Sequence, residues 1–285
     1  MKFFITGYSG QLGYDVALEC ERRGHEFRGV SSKELDICDP EAVLKQISEY
    51  GPDVVVHCAA YTAVDKAEEE RERCFAVNAE GTENIASACG KTGCKLIYIS
   101  TDYVFSGEGT EPWKPDCRDF APLNAYGAAK LEGERAVERL VEKFFIVRIA
   151  WVFGLNGKNF VKTMLNVGRG REQVRVVSDQ VGTPTYTADL ARLLADMAET
   201  EKYGFYHATN EGGYISWCDF CREIYAQAGL ETEVIPVTTE EYGLSKAKRP
   251  YNSRLDKSKL REQGFRPLPA WKDALSRYLR ETGEI

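Results

Sequence analysis

A glycine-rich turn near the start of the chain constrains the fold more than any other stretch. The apolar run Lys2–Ile5 leads into Thr6-Gly-Tyr-Ser-Gly-Gln-Leu-Gly13, and a helical pattern follows over Leu12–Arg23 and ends before Gly24. Glycines at this G-x-x-G-x-x-G spacing, placed between a strand and a helix, allow a tight turn and a close approach of the backbone to a pyrophosphate at the helix N-terminus. The stretch therefore predicts a dinucleotide-binding turn.

Beyond this turn, short apolar strands alternate with amphipathic helices. The predicted strands are Phe27–Val30, Asp53–His57, Lys95–Ser100 and Phe144–Ile149, and the predicted helices are Glu41–Tyr50, Cys74–Cys89 and Tyr126 to about Lys143. This alternation predicts an α/β fold with a doubly wound parallel sheet of the Rossmann type. In such sheets ligands bind beyond the carboxyl ends of the strands.

The alternation loosens after Ile149, which predicts a smaller α/β substrate-binding region that is mostly C-terminal. We expect a loop and helix over Asn156–Arg171, a strand at Val174–Val177, helices at Asp189–Thr200 and Trp271–Thr282, a further main-sheet strand at Phe205–Ala208, and an irregular Thr232–Asp256. The predicted dinucleotide-binding domain comprises residues 1–150 and about 187–210. The predicted substrate-binding domain comprises about 151–186 and 211–285.

Composition excludes several classes of protein. The net charge of −7 argues against a nucleic-acid partner, which usually meets a basic surface. The chain lacks a secretory signal pattern and any apolar run long enough for a membrane, so we expect a cytoplasmic protein with reduced thiols. Nine cysteines, an odd number, agree with that expectation. Cys218 and Cys221 are predicted to be buried positions on a helix capped by Ser216, because no second Cys/His pair completes a zinc site.

The pattern Tyr126-Gly-Ala-Ala-Lys130 carries the predicted chemistry. Residues four apart share one helix face, so the lysine is expected to lower the tyrosine pKa from about 10 and to make the phenol a proton donor. Thr101 directly follows the fourth predicted strand, at the carboxyl edge of the sheet, and is expected to hydrogen-bond the carbonyl oxygen that Tyr126 protonates. The alternatives are a solvated Tyr-Lys face and a Thr101 that merely caps a turn. Because the glycine turn, Thr101, Tyr126 and Lys130 occur in the right order, we favour catalysis.

The end of the second predicted strand bears on the choice of cofactor. An acidic side chain at this position would bind the ribose 2′-hydroxyl and favour NAD. The sequence here is Val30-Ser-Ser-Lys33, in which hydroxyls and a cation suit a 2′-phosphate. We therefore predict NADPH, with NADH as the alternative because Glu34 and Asp36 lie nearby.

The chain resembles the extended short-chain dehydrogenase/reductase superfamily and, within it, the dTDP-4-dehydrorhamnose reductase family. The likeness covers essentially the whole chain and rests on the glycine turn and on the segments Ala59–Glu68, Val77–Asn78, Ser100–Phe105, Pro122–Gly127, Arg148–Val152, Asn159–Phe160, Asp179–Thr185 and Arg249–Asp256. The segments at Asp179 and Arg249 are the most specific to this family. Tyr8-Ser9 and Tyr14-Asp15 depart from its usual pattern and leave the glycines intact.

The resemblance implies reduction of the 4-keto group of dTDP-4-dehydro-6-deoxy-L-mannose to dTDP-L-rhamnose. Tyr126 would donate the proton, Lys130 would lower its pKa and hold the nicotinamide ribose, and Thr101 would orient the keto oxygen. The implied cofactor contacts are Gly7, Gly10, Gln11, Leu12, Gly13, Ser31, Ser32, Asp36, Ile37, Ala59, Ala60, Tyr61, Asn78, Tyr126 and Lys130. The implied substrate contacts are Thr62, Val64, Asp65, Thr101, Asp102, Tyr103, Trp151, Arg249, Asn252, Ser253 and Arg254.

Relatives of this kind include homodimers with bound Mg²⁺, but the sequence nominates no ligands for a metal. Two other functions stay open at this point. One is a non-catalytic, NADP-binding regulatory subunit of the methionine adenosyltransferase type. The other is a nucleotide-sugar epimerase or dehydratase, which would retain and recycle its NAD.

Overall fold

The structure is a computed structural model that describes residues 1–285. Its strands are β1 Lys2–Thr6, β2 Glu26–Val30, β3 Val54–His57, β4 Lys95–Thr101, β5 Phe144–Ile149, β6 Val152–Phe153, β7 Gln173–Val177, β8 Val181–Gly182, β9 Thr185–Tyr186, β10 Gly204–His207, β11 Ile215–Ser216 and β12 Glu233–Val237. Its helices are α1 Gln11–Arg23, α2 Pro40–Tyr50, α3 Val64–Ala67, α4 Arg71–Phe75, α5 Gly81–Thr92, α6 Ala125–Leu140, α7 Phe160–Gly168, α8 Thr187–Ala198, α9 Trp217–Ala228, α10 Thr239–Tyr242, α11 Ser258–Glu262 and α12 Trp271–Glu281.

Six strands form one parallel sheet in the order β10-β5-β4-β3-β1-β2. The predicted α/β fold with a doubly wound sheet is confirmed, and the strand at Phe205 lies on its edge beside β5. The winding reverses between β1 and β3, which is where such sheets open a crevice for a ligand. The glycine turn and the carboxyl ends of β3 and β4 therefore meet at one edge.

Both faces of the sheet are covered by helices. Side chains on successive strand residues point to opposite faces, so neighbouring residues of one strand pack on different helices. In β1, Phe3 and Ile5 pack with helices α1 and α8, whereas Phe4 packs with the helices on the other face, α2 and α5. All three side chains are fully buried. This burial explains why the central strands are continuous apolar runs.

A separate apolar cluster holds the chain after β5. It joins helices α7, α9 and α12 to the two-stranded parallel sheet of β7 and β12, and it is rich in stacked aromatic rings. Phe153 stacks on Tyr186 with ring centroids 5.2 Å apart, and Tyr278 meets both rings edge-on. This cluster is the smaller α/β region that the sequence predicts.

Strand β12 corrects the prediction that Thr232–Asp256 is irregular. Glu233–Val237 pairs in parallel with β7, in register from Glu233 opposite Gln173 to Val237 opposite Val177. Pro236 has no backbone N–H and argues against a central strand. The sheet has only two strands, so an edge without a partner accommodates this residue.

Two helices also differ from the prediction. The Tyr126 helix stops at Leu140, because Val141 is extended and buries its side chain in the core before β5. The predicted helix Cys74–Cys89 is longer and irregular, since α4 and α5 are joined by a π-helical turn over Ala76–Glu80. Such turns are frequent near functional sites, and this one contains Asn78.

All nine cysteines are unpaired. Cys218 and Cys221 are buried on α9, and Ser216 caps the start of this helix through a capping box. The prediction that these cysteines are buried positions on a capped helix is confirmed. None of the helices has the combination of length and apolarity that crossing a bilayer requires.

Candidate active site

A cleft of about 750 Å³ opens where the winding of the sheet reverses. It extends from the glycine turn, past the ends of β3 and β4, to the first residues after β5. The sequence-predicted residues that line it are Gly7, Gly10, Gln11, Leu12, Gly13, Ser31, Ser32, Asp36, Ile37, Ala59, Ala60, Thr62, Val64, Thr101, Asp102, Tyr103, Tyr126, Lys130 and Trp151. The fold thus brings the predicted cofactor and catalytic residues to one cavity.

The glycine turn presents a free helix end to this cleft. Gly10 is the N-cap of α1 and supplies no side-chain cap, so the first N–H groups of the helix are available to an anion. A Cβ on Gly13 would lie 2.4 Å from the Gly7 carbonyl oxygen, so only glycine permits this tight packing. The turn therefore fits the diphosphate of a dinucleotide. A nicotinamide cofactor needs such a site, and the residues present provide it.

The turn after β2 forms the next part of this wall. Ser31 and Ser32 line the cleft, and Lys33 is exposed beside them. The Glu34 carboxylate accepts hydrogen bonds from the Ser31 backbone N–H, at 2.8 Å, and from the Ser31 hydroxyl. These hydrogen bonds hold the pKa of Glu34 below its ordinary value, so the nearby acid braces the turn.

Strand β4 ends at the centre of the cleft, as the sequence predicts. Thr101 is its last residue, and the side-chain oxygen accepts a hydrogen bond from the Tyr103 backbone N–H at 3.2 Å. The hydroxyl donates to Oδ1 of Asp102 at 3.0 Å. Thr101 therefore caps a turn and also lines the cleft, so the two interpretations of this residue are compatible.

Helix α6 begins against the end of β4, which places Tyr126 beside Tyr103. Asn124 caps the helix by accepting a hydrogen bond from the Gly127 N–H at 2.8 Å. A Cβ on Gly127 would lie 2.3 Å from the Tyr103 carbonyl oxygen, so glycine allows the two segments to touch. The rings of Tyr103 and Tyr126 consequently meet edge to face, with centroids 5.8 Å apart.

Lys130 lies one turn further along α6 and is only 2 % exposed. Its ammonium nitrogen donates to the Ile99 carbonyl oxygen at 2.7 Å and sits 4.1 Å from the centre of the Tyr98 ring. Burial lowers the pKa of Lys130 to about 7, while the nearby Glu134 carboxylate raises it. These contacts fix the position of the lysine within the lining of the cleft.

The predicted lowering of the Tyr126 pKa by Lys130 is wrong in this structure. Burial raises the pKa of Tyr126 well above its ordinary value, and the charge of Asp102 raises it further. The Thr101 hydroxyl opposes this effect without cancelling it. Desolvation of the buried phenol is the largest effect, and the Lys130 ammonium donates instead to the Ile99 carbonyl oxygen. Tyr126 is therefore fully protonated at neutral pH.

Seven predicted residues do not line the cleft, namely Tyr61, Asp65, Asn78, Arg249, Asn252, Ser253 and Arg254. Asn78 is buried and fixes the backbone of Tyr61, accepting from its N–H at 2.8 Å and donating to its carbonyl oxygen at 3.0 Å. The Tyr61 hydroxyl donates to Glu70. Arg249 forms a two-pronged ion pair with Asp65, with N–O distances of 2.9 and 3.1 Å, which holds the pKa of the Asp65 carboxyl below its ordinary value.

The rest of the Arg249 segment is used internally. The Asn252 side chain donates to the carbonyl oxygens of Glu108 and Glu111 at 3.2 and 2.9 Å. Its oxygen accepts from the Arg254 guanidinium at 3.0 Å. Ser253 is buried on the same segment. These hydrogen bonds hold the loop that contains Glu108 and Glu111, and the role of this segment's side chains as substrate contacts stays a prediction.

A stacked indole pair forms the far wall. Trp151 follows β5 with φ at +52°, an unfavourable backbone for a non-glycine residue that costs of order 1–3 kcal/mol. Its ring stacks on Trp217 with centroids 3.8 Å apart, and Phe160 packs on Trp217 at 4.6 Å. Trp217 also lines the cleft. The sequence marked Trp151 but not Trp217, because only the fold carries the start of α9 to this place.

Lys158 is a second cleft residue that the sequence did not mark. Its loop is fastened to the glycine turn, since the Asn156 side chain donates to the Ser9 carbonyl oxygen at 2.8 Å and Asn159 donates to the Gln11 side chain at 3.1 Å. Lys158 itself is exposed, lines the cleft and takes part in no ion pair or hydrogen bond. It is therefore a free cation beside the turn that fits a diphosphate.

No group of three or more His, Cys, Asp or Glu side chains is arranged to hold a metal ion. The structure therefore assigns no ligands to the Mg²⁺ that the resemblance admits.

The sequence is similar to known proteins over nearly its whole length. A family model described as "RmlD substrate binding domain" matches residues 1–283. The dTDP-4-dehydrorhamnose reductase of Streptomyces griseus is 41 % identical over 96 % of this chain and 92 % of its own length. The spore coat polysaccharide biosynthesis protein SpsK of Bacillus subtilis is 39 % identical over 98 % of this chain and 97 % of its own.

A solved structure shows the same agreement in three dimensions. The dTDP-4-dehydrorhamnose reductase of Bacillus anthracis, in complex with NADP, superposes with a TM-score of 0.94 at 42 % identity. The match covers 98 % of this chain and 99 % of that one.

Proposed function

Since the chain belongs to the dTDP-4-dehydrorhamnose reductase family, we propose that it reduces the 4-keto group of dTDP-4-dehydro-6-deoxy-L-mannose with NADPH and forms dTDP-L-rhamnose. The observation that carries this proposal is the meeting of Thr101, Tyr126 and Lys130 in the cleft that the glycine turn also lines. One cavity thus combines a place for a dinucleotide with a proton donor.

The cofactor end of the cleft supports NADPH. The free N-terminus of α1 suits the diphosphate. Ser32 and Lys33 offer a hydroxyl donor and a positive charge to a 2′-phosphate, beside Ser31, whose own donors are taken by Glu34. When bound, NADPH supplies the hydride that reduces the keto carbon. A relative that is 42 % identical binds NADP, which agrees with this assignment.

Tyr126 would supply the proton, assisted by Lys130 and Thr101. The raised pKa of Tyr126 keeps its phenol protonated, so it is ready to donate to the keto oxygen as negative charge develops there. Lys130 would then stabilise the phenolate that remains, because a positive charge favours an ionised neighbour. Thr101 would orient the keto oxygen. The position of all three groups in the lining of the cleft supports these roles.

The proposal also assigns the cofactor and the nucleotide sugar to different parts of the chain. Residues 1–150 and about 187–210 would bind the cofactor, and about 151–186 and 211–285 would bind the nucleotide sugar. The indole pair of Trp151 and Trp217 supports this division, because it lies where the two parts adjoin and offers an aromatic wall to the sugar nucleotide. Arg249 would exchange its carboxylate partner for a phosphate oxygen.

Turnover of the keto sugar tests the function directly. We expect NADPH to be consumed in the presence of dTDP-4-dehydro-6-deoxy-L-mannose, with dTDP-L-rhamnose as the product identified by NMR, and we expect lower rates with NADH. Equal initial rates with the two cofactors would contradict the NADPH preference. Cofactor binding without turnover would favour the regulatory function, and sugar conversion without net NADPH oxidation would favour an epimerase or dehydratase.

A pair of lysine variants tests how the cofactor lies in the cleft. Lys158→Gln should weaken binding of NADP⁺ and NAD⁺ equally, by roughly 10-fold, because the diphosphate is common to both and one charge-assisted hydrogen bond is worth about 1.5 kcal/mol. Lys33→Gln should weaken only NADP⁺, since NAD⁺ has no 2′-phosphate. Calorimetric dissociation constants give both results without turnover, and each variant is the control for the other. A selective effect of Lys158→Gln on NADP⁺ would disprove its place at the diphosphate.

A further inference from the structure

A buried carboxyl group borders the catalytic residues without a complete set of partners. Asp102 is 2 % exposed, lines the cleft and directly follows Thr101. Its Oδ2 atom is buried and accepts no well-formed hydrogen bond, although the Ser253 hydroxyl lies close enough to lower the pKa of the carboxyl. A buried ionised oxygen without a partner is costly. Protonation of Asp102 would therefore remove the desolvation cost of a buried carboxylate.

The hydrogen of the Thr101 hydroxyl is already committed. It is donated to Oδ1 of Asp102 at 3.0 Å, while the oxygen accepts from the Tyr103 N–H at 3.2 Å. A hydroxyl has one hydrogen to donate. In this arrangement Thr101 has none left for the keto oxygen of a substrate, although its position beside Tyr126 is right for that role.

We propose that a proton on Asp102 releases the Thr101 hydroxyl to hydrogen-bond the substrate keto oxygen, which makes Asp102 a positioning residue for the reduction; this inference rests on the proposed function. With the proton on Oδ1, Asp102 donates to the Thr101 oxygen, and the Thr101 hydrogen turns toward the keto oxygen. The proton stays on Asp102 throughout, and Tyr126 remains the group that transfers its own.

Electrostatics favour the same state during the reaction. Negative charge develops on the keto oxygen beside Tyr126, and an ionised Asp102 would repel it in a desolvated site. The charge of Asp102 is already felt at Tyr126 and at Tyr103, whose pKa values it raises. A neutral Asp102 removes this repulsion and adds a second donor, Thr101, to the developing oxyanion.

The surroundings of Asp102 keep its protonation within reach of neutral pH. Burial raises the pKa of Asp102 to about 6, against the lowering effect of the Ser253 and Thr101 hydroxyls. The titratable and charged groups that face it are Tyr103 on its own turn and Tyr126 on α6, with the Arg249–Asp65 pair beyond Tyr103. Lys130, further along α6, titrates separately.

Variants of Asp102 separate this role from that of a structural brace. Because the protonated fraction of wild-type Asp102 falls about tenfold per pH unit above its pKa, the kcat/KM ratio of Asp102→Asn to wild type should be constant below pH 5 and rise between about pH 6 and pH 8. Lys130 titrates in both proteins, so its effect cancels in the ratio. Asp102→Ala, which removes the charge and any acceptor for Thr101, should give the same rise. A ratio that is flat with pH in both variants would overturn the proposal, since a brace has no reason to depend on pH.

A second measurement needs no substrate. The carboxyl ¹³C resonance that disappears in Asp102→Asn should titrate near pH 6 in wild-type protein, and a midpoint near the ordinary aspartate value of about 4 would overturn the proposal. If wild type does not turn over the keto sugar, the proposed function fails while this titration still decides the state of Asp102. Thermal unfolding of each variant establishes that it is folded.

Discussion

Replacing Tyr126 with phenylalanine is expected to lower kcat by roughly 10²–10⁴-fold while cofactor binding is unchanged. The variant removes only the phenolic oxygen, which is the proposed proton donor on α6, and it keeps the ring that packs edge to face on Tyr103. Because the proton is transferred only in the transition state, the loss should appear in kcat and not in the dissociation constant for NADP⁺. Steady-state kinetics with the keto sugar and a separate NADP⁺ titration measure the two quantities.

Tyr103→Phe is the matched control. Tyr103 lies beside Tyr126 in the same cleft, but its hydroxyl is assigned to substrate binding. We expect this variant to raise KM for the sugar nucleotide more than it lowers kcat. If Tyr126→Phe retained near-normal kcat, or if the two variants behaved alike, the assignment of Tyr126 as the proton donor would be wrong.

The largest expected effect on stability is that of Glu134→Gln. Glu134 and Arg148 are 2 % and 0 % exposed and form a two-pronged pair, with N–O distances of 2.8 and 2.7 Å. Breaking a buried pair by removing one charge costs about 3–5 kcal/mol, because the other charge remains buried without compensation. Urea unfolding should show a loss of this size in the free energy of unfolding, since the Arg148 guanidinium stays inside a cage of the Phe105, Phe120 and Phe205 rings.

The two halves of this pair should not be equivalent. Arg148→Met leaves a carboxyl that can take up a proton, whereas Glu134→Gln leaves a guanidinium that cannot lose one. We therefore expect Arg148→Met to cost less. The control is the exposed pair on the same helix, where Arg135→Ala should change the free energy of unfolding by less than about 1 kcal/mol. A Glu134→Gln variant as stable as this control would contradict the electrostatic explanation.

Local patterns in the sequence were sufficient for the main sheet. Strand residues such as Phe3, Phe4 and Ile5 are apolar in succession because both faces of a parallel strand are covered. Helix boundaries also carry local signals, as at Gly24, which adopts the left-handed conformation that ends α1. These elements were predicted because each signal lies within a few residues of its effect.

Elements that depend on a distant partner were less predictable. Strand β12 contains Pro236 and becomes a strand only because β7 lies alongside it. Asp179 illustrates the same limit within a recognised motif. Its carboxylate accepts hydrogen bonds from the backbone N–H and the hydroxyl of Thr239, so this specific segment serves to hold α10 in place. No local pattern indicates that partner.

The glycine turn and the Tyr126–Lys130 spacing by themselves predicted the fold class, a dinucleotide cofactor and Tyr126 as the candidate proton donor, because each prediction depends on spacing along one strand or helix. Only the tertiary structure decided the protonation of these groups and their neighbours. Burial, a property of the whole packed chain, raises the pKa of Tyr126 and lowers that of Lys130, opposite to the effect expected from the pair alone. The fold of the whole chain also brings Trp217 and Lys158 to the cleft and places the Thr101 hydroxyl in a hydrogen bond with Asp102.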